Sequence, residues 1–358
     1  MSAILVTGSA GLVGSDAVRF FAAQGLDVVG IDNDMRAQFF GQSASNMPNI
    51  ARLTAEVERY IHHDLDIRDR AGVHRVLKRY GPSLRCVIHA AAQPSHDWAA
   101  GEPETDFSVN ATGTLVLLEA VRTHCPDAVV IHVSTNKVYG DRPNRLPMEA
   151  LASRYEVASE HRYRARGIDE DMLIDHCMHS LFGVSKVAAD MMVQEYGRYF
   201  GLQTTSLRCG CITGPHHAGA QLHGFLSYLV QCAVLERPYT VFGYEGKQVR
   251  DNLHSSDLAR AFWAVFQNPG SGRVYNMGGG REASVSIREA VAICERLTGR
   301  PFPVSYSGAQ RKGDHIWWIT DTARFEADHP DWFRSYDRER LLTELVQTWT
   351  ELAPRMLG

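Results

Sequence analysis

Ala3-Ile4-Leu5-Val6-Thr7-Gly8-Ser9-Ala10-Gly11-Leu12-Val13-Gly14 sets the fold: a short apolar run enters a glycine-punctuated turn, and an amphipathic helical pattern follows. Buried parallel strands read as such runs. A sharp strand-to-helix turn aims unpaired backbone N–H groups and the positive helix end at an anion. Gly8 and Gly11 let backbone approach phosphates, and Gly14 lets the helix pack close to the sheet. Glycine-rich turns also join strands to helices with no ligand present, so the turn alone is a weak signal. Asp32 strengthens it. A second apolar run, Val28-Val29-Gly30-Ile31, ends at Asp32, eighteen residues past Gly14, where a carboxylate can accept hydrogen bonds from adenosine ribose hydroxyls. That carboxylate repels the extra phosphate of NADP, Asn33 follows it, and the nearest base is Arg36, so the pattern favours NAD.

At 358 residues the chain can bury a full core as one large domain or two joined ones. With 37 basic and 41 acidic residues it offers no electrostatic case for nucleic acid or an anionic membrane. No apolar stretch reaches the roughly 18 residues of a membrane span, and the first strand begins without a basic leader, so a cytoplasmic protein is expected. The seven cysteines are scattered and form no Cys-x-x-Cys pair, which reads as reduced core residues. Adjacent histidines such as His62-His63 and His216-His217 would point to opposite faces of a strand, and no carboxylate joins them at ligand spacing. No metal site is expected.

Strand and helix patterns alternate through the first 135 residues, with strands near 57–62, 85–90 and 128–134 and helices near 69–80 and 104–123. This is the signature of a doubly wound parallel sheet. A helix at 181–200 and a strand at 203–208 complete it. Beyond Gly214-Pro215, short strands (239–243, 249–253, 273–276) and helices (221–236, 255–267, 286–298, 338–353) suggest a smaller α+β lobe. The expected division is a Rossmann-type domain over 1–214 and a substrate lobe over 215–358, with substrate in the cleft between them. Residues 141–179, charge-rich and long, read as an insertion acting as a lid or a partner contact.

Three segments should converge on the nicotinamide: Val87-Ile88-His89-Ala90-Ala91-Ala92, whose small residues let a cofactor lie over the backbone; Ser134-Thr135-Asn136; and Phe182-Gly183-Val184-Ser185-Lys186, in which positions 182 and 186 share a helix face. Together with Ser134-Thr135-Asn136-Lys137-Val138-Tyr139-Gly140-Asp141, His179-Ser180 and Gly246-Lys247-Gln248-Val249-Arg250-Asp251, they make the chain resemble the extended short-chain dehydrogenase/reductases. Within these it is most similar to nucleotide-sugar epimerases and dehydratases, and in particular to the branch that epimerises CDP-hexoses at C2. The likeness runs from Ser2 to about Asp321.

That resemblance implies an NAD enzyme with roles for individual positions. Asp64 and Leu65 would contact the adenine, Asn110 would steady the central helix, Lys186 would hold the nicotinamide ribose, and Cys209 would line the cofactor site. Arg250 and the Arg311-x-Gly313-Asp314 segment would approach the substrate diphosphate, for which a guanidinium fork is suited. Gln93, Ser95, His96, Asn136, His179, Gln221 and Phe225 are further substrate-side candidates. The family also implies a homodimer through the helices near 104–123 and 181–200, with Leu115, Leu118, Met191, Met192 and Tyr196 as the apolar stripe.

One departure outweighs the matches: the family places a catalytic tyrosine where this chain has Phe182. Losing an acid–base group costs roughly 10²–10⁴ in rate if nothing replaces it. Three explanations stay open: another base, His179 above all, with Cys177, Thr135 and His96-Asp97 behind it; a tyrosine-to-phenylalanine substitution made to trap substrate; or a binding protein without catalysis. Among the enzymes, a 4-epimerase or 4,6-dehydratase is the rival to 2-epimerisation, and the dehydratase is disfavoured because Asn136-Lys137 stands where such enzymes carry Asp-Glu.

Overall fold

The computed structural model describes residues 2–215, 224–308 and 313–357. Seven parallel strands form the central sheet: β1 (Ala3–Thr7), β2 (Asp27–Asp32), β3 (Tyr60–Asp64), β4 (Leu84–His89), β5 (Val129–Thr135), β6 (Thr204–Cys209) and β7 (Arg273–Met277). Their order is β7-β6-β5-β4-β1-β2-β3. The apolar runs explain it, since β1 and β6 are buried along their whole length and need helices on both faces. The order reverses between β1 and β4, and the crevice at the carboxyl ends of those two strands is where such sheets bind ligands.

The helix Leu12–Ala23 covers one face, where Val18 and Phe21 pack with Leu258, Phe262 and Val265 of the helix Ser255–Gln267. On the other face, Val116, Leu117 and Val121 of Gly113–His124 meet Val193 and Tyr196 of Leu181–Phe200. The helix expected near 104–123 runs as Pro103–Phe107, a wider π turn at Ser108–Thr112, and Gly113–His124. Such turns often mark functional sites, and this one carries Asn110.

The division at 214/215 does not cut the molecule into two contiguous pieces. Residues 255–277 return to the nucleotide-binding layer, because the apolar face of Ser255–Gln267 matches the helix Leu12–Ala23 and β7 pairs in register with β6, Val274 opposite Ser206. The smaller lobe keeps its own core of Leu229, Val230, Val241, Ile293, Leu342 and Leu345.

The segment 141–179 is not a lid. It forms a hairpin, Met148–Ala150 with Tyr155–Val157, and a short helix, Tyr163–Arg166. Tyr163, Ile168 and Met172 bury themselves against Tyr139, Trp317 and Trp318, and no described residue of the segment lines the cleft. Its charges pair internally or with the small lobe: Arg154 donates to Glu289 at 2.7 Å and to Glu156 at 3.0 Å. Among the described residues no helix is long and apolar enough to cross a membrane.

Candidate active site

A cavity of about 800 Å³ runs from the glycine turn across the carboxyl ends of β1, β4 and β5 into the small lobe. Its first half fits a dinucleotide. Gly8 sits at φ +66°, and a Cβ there would lie 2.7 Å from the Ala91 nitrogen; a Cβ on Gly14 would lie 2.0 Å from the Gly8 carbonyl oxygen. Those two glycines are required by the protein's own backbone. A Cβ on Gly11 would meet only the Gly8 oxygen, at 3.5 Å, so the room it leaves is for something other than protein. The helix Leu12–Ala23 has no side-chain cap, and its N-terminus opens on the same cavity, as Leu12 and Val13 line it.

Asp32 lies at the end of β2, buried, with Oδ2 accepting from Ala10 N and Oδ1 from Asp34 N, each at 3.0 Å. Burial pushes its carboxyl above the ordinary range against those two hydrogen bonds. Asn33, Arg36, Leu65, Ala90, Ala91, Ala92 and Cys209 line the cavity. Asp64 does not: it is exposed at the end of β3, and Asp66 takes the place at the cavity wall, accepting from Asn33 Nδ2 at 3.2 Å. Asp32→Ala should weaken NAD about tenfold to a hundredfold, the worth of a hydrogen bond to a charged group, and leave NADP affinity level or higher. Titration of both cofactors checks this, and equal losses would show that Asp32 does not face the ribose.

The centre of the cavity is built by β5 and the helix Leu181–Phe200. Thr135, Asn136, Phe182 and Lys186 all line it. Lys186 is 4% exposed and donates to the Val133 carbonyl at 3.0 Å; burial pulls its ammonium down to about 8, with Asp190, Cys209 and Asp106 opposing the fall. Ser134 spends its hydroxyl elsewhere, donating to the buried Asp190 carboxylate at 2.7 Å. Asn110 lies behind the wall and ties three segments: its Oδ1 accepts from Gln93 N at 2.9 Å, while Nδ2 donates to Asp106 at 3.1 Å and to Ser185 at 3.0 Å.

Several substrate-side candidates move. His179 lies outside the cavity; its Nε2 donates to the Ile174 carbonyl at 2.9 Å and its ring rests beside Gly140, so it cannot serve as the base there. Gln93 and Ser95 are buried behind the wall, Gln93 bridging to Asp106 at 2.8 Å and Ser95 capping the helix His96–Gly101. His96, Phe225, Arg250 and Asp314 do line the cavity. Gln221 and Arg311 lie outside the described residues.

Other cavity residues carry no local signal in the sequence. Lys137 enters the cavity, donating to the Gly313 carbonyl at 2.9 Å, with the Asp314 carboxylate 3.7 Å away. Thr213 and Asn252, 2% and 1% exposed, line the cavity with Oγ1 and Oδ1 both buried and unpartnered. A buried polar atom without a partner is costly, and a ligand hydroxyl or amide would satisfy both. Trp349 of the C-terminal helix Arg338–Leu357 also lines the cavity.

The model of the NAD dependent epimerase/dehydratase family matches residues 4–278. The chain belongs to that family. Its cofactor is accordingly NAD, which the cavity fits. CDP-paratose 2-epimerase of Salmonella typhi is 32% identical over 299 residues, 82% of this chain and 83% of that protein. dTDP-glucose 4,6-dehydratase of Neisseria meningitidis is 29% identical over 332 residues, 90% of this chain and 82% of that protein. The fold is shared with UDP-glucose 4-epimerase of Thermus thermophilus in complex with NAD: TM-score 0.77, 24% identity, 97% of this chain and 98% of that one. It is shared equally with a tyrosine-to-phenylalanine mutant of UDP-glucuronic acid 4-epimerase from Bacillus cereus: TM-score 0.78, 23% identity, 98% of this chain and 99% of that one.

Proposed function

We propose that this family member is a nucleotide-sugar 2-epimerase acting on a CDP-hexose. The observation that carries the proposal is one continuous cavity holding the dinucleotide turn, the Thr135–Phe182–Lys186 centre and Arg250, so that a sugar nucleotide lying across the small lobe brings its hexose to the nicotinamide end. Identity to CDP-paratose 2-epimerase supports C2 and CDP, and Asn136-Lys137 in place of Asp-Glu argues against water elimination. Bound NAD would supply a hydride acceptor and donor within one turnover. The protein's part is to bind, orient and move the proton: Thr135 offers a hydroxyl to the sugar oxygen, Lys186 a cation beneath the centre, and Arg250 a fork for the diphosphate. CDP-hexose deuterated at C2 tests this. Inversion at C2 with deuterium retained there is expected; inversion at C4 with C2 unchanged, or loss of the C6 hydroxyl, would favour the 4-epimerase or dehydratase chemistry instead. Absence of any NADH signal with sugar binding intact would leave an NAD-binding protein without catalysis.

A cytoplasmic homodimer completes the proposal, through a stripe that keeps only Met191 of the residues first expected. Leu118 and Tyr196 turn into the core and Leu115 and Met192 pack on it, leaving Leu181, Val184 and Met191 exposed along one face of Leu181–Phe200, with Phe107 exposed on the neighbouring helix. Light scattering should give twice the chain mass, and Val184→Glu with Met191→Glu should halve it. A monomeric wild-type mass would retire the dimer.

A further inference from the structure

With a phenylalanine at 182 and His179 turned away, the proton of the sugar hydroxyl needs another acceptor. Among the described residues His96 is the one histidine lining the cavity. Its ring centroid stands 4.8 Å from that of Phe182, with the two rings tilted by 59°, so the imidazole packs directly beside the position where the family carries its phenol. Its Nδ1 is 2.8 Å from Ser180 Oγ, and that same oxygen caps the helix Leu181–Phe200 by accepting from Gly183 N at 3.1 Å. His96 is therefore anchored to the helix that carries Lys186, although it opens the short helix His96–Gly101 that follows β4. Gly313, where a Cβ would fall 3.0 Å from His96 Nδ1, packs against the ring without displacing it. A neutral imidazole with Nδ1 held by a neighbour is the usual form of a general base near neutral pH.

We propose that His96 carries the acid–base role that the family assigns to a tyrosine, with Phe182 serving as the surface that holds its ring. The step balances in both directions. The sugar O–H gives its proton to imidazole Nε2 as the adjacent C–H gives its hydride to NAD and the C=O bond forms; on return, the imidazolium gives the proton back as hydride re-enters the carbon. This assignment rests on the redox chemistry proposed above, and the test separates the two.

His96→Gln keeps an amide able to bond Ser180 and removes the proton acceptor. NADH formation in a single turnover is followed for wild type, His96→Gln, Phe182→Tyr and the double variant, with CDP-glucose, UDP-glucose and dTDP-glucose as probes and bound NAD per chain measured in each. The expected result is a fall of about 10²–10⁴ for His96→Gln with NAD content unchanged, and recovery of most of that loss in the double variant. In the NAD-loaded wild type, the imidazole nitrogen resonances absent from His96→Gln should shift when a probe is added. An unchanged rate in His96→Gln, loss of its bound NAD, or resonances indifferent to the probe would overturn the role of His96 while leaving the redox chemistry in place. No NADH from any probe in any variant would overturn both.

Discussion

Asp190→Ala is expected to destabilise the protein by about 3–5 kcal/mol, the cost of leaving a buried charge without its partner. Asp190 lies behind the cavity wall, 1% exposed, and takes hydrogen bonds from Ser134 at 2.7 Å, Ser206 at 2.6 Å, Gln194 at 2.6 Å and Arg208 at 2.8 Å. Burial alone would raise its carboxyl; the Arg208 guanidinium and the hydroxyl donors outweigh burial and hold it below the ordinary range. Arg208 passes the connection on to the Tyr139 hydroxyl at 3.1 Å, which donates to Asn276 on β7 at 2.7 Å. One carboxylate thus joins β5, β6, β7 and the helix Leu181–Phe200. Denaturant unfolding measures the loss, and a second variant identifies its source. Asp190→Leu with Arg208→Met removes both charges and should recover a good part of the loss, since a buried pair is often replaceable by apolar groups. A double variant as unstable as the sum of the singles would show that the two residues do not act as a pair.

The parts of this site legible in the sequence are those set by local backbone chemistry. Gly8, Gly11, Gly14 and Asp32 belong to a single strand–turn–helix–strand unit, so their spacing carries their geometry, and positions 182 and 186 share a face because four residues make about one helical turn. What was lost depends on contacts between distant segments. Residues 255–277 were assigned to the small lobe by order along the chain, yet Phe262 and Tyr275 complete the core over β1 and β6. The charges of 141–179 suggested a lid or a partner contact; Arg154 and Arg281 instead pair with Glu156 and Glu289 inside a brace. His179 and His96 are indistinguishable as isolated histidines, and only the Ile174 carbonyl on one and the Phe182 ring beside the other separate them. Asp64 and Asp66 differ by two residues, and β3 ends between them, which turns the first outward and the second to the cavity.

Lys186→Met should make the NAD-free protein more stable while lowering NADH formation about 10²–10³-fold, the cost of removing one preorganised charged donor. Lys186 is buried, and its ammonium is pulled from 10.5 in the ordinary state to about 8 by desolvation, so holding the charge inside costs about 3 kcal/mol at neutral pH. Methionine keeps the stem, loses the charge and forfeits the bond to the Val133 carbonyl, worth about 1 kcal/mol. The balance favours the variant by about 2 kcal/mol. The sign of the pH dependence follows from the same shift: between about pH 8 and 10.5 the unfolded chain still binds the proton that the folded chain has released, so the Lys186 contribution makes stability rise with pH across that window. Below pH 8 both states carry the proton and this contribution is level. Melting temperature against pH for wild type and Lys186→Met, both stripped of NAD, should therefore show a gap in favour of the variant at pH 7 that closes toward pH 10.5. A variant less stable at every pH, or two parallel curves, would mean that the buried ammonium is compensated by Asp190 and Asp106, and that the site's charge imposes no cost on the fold.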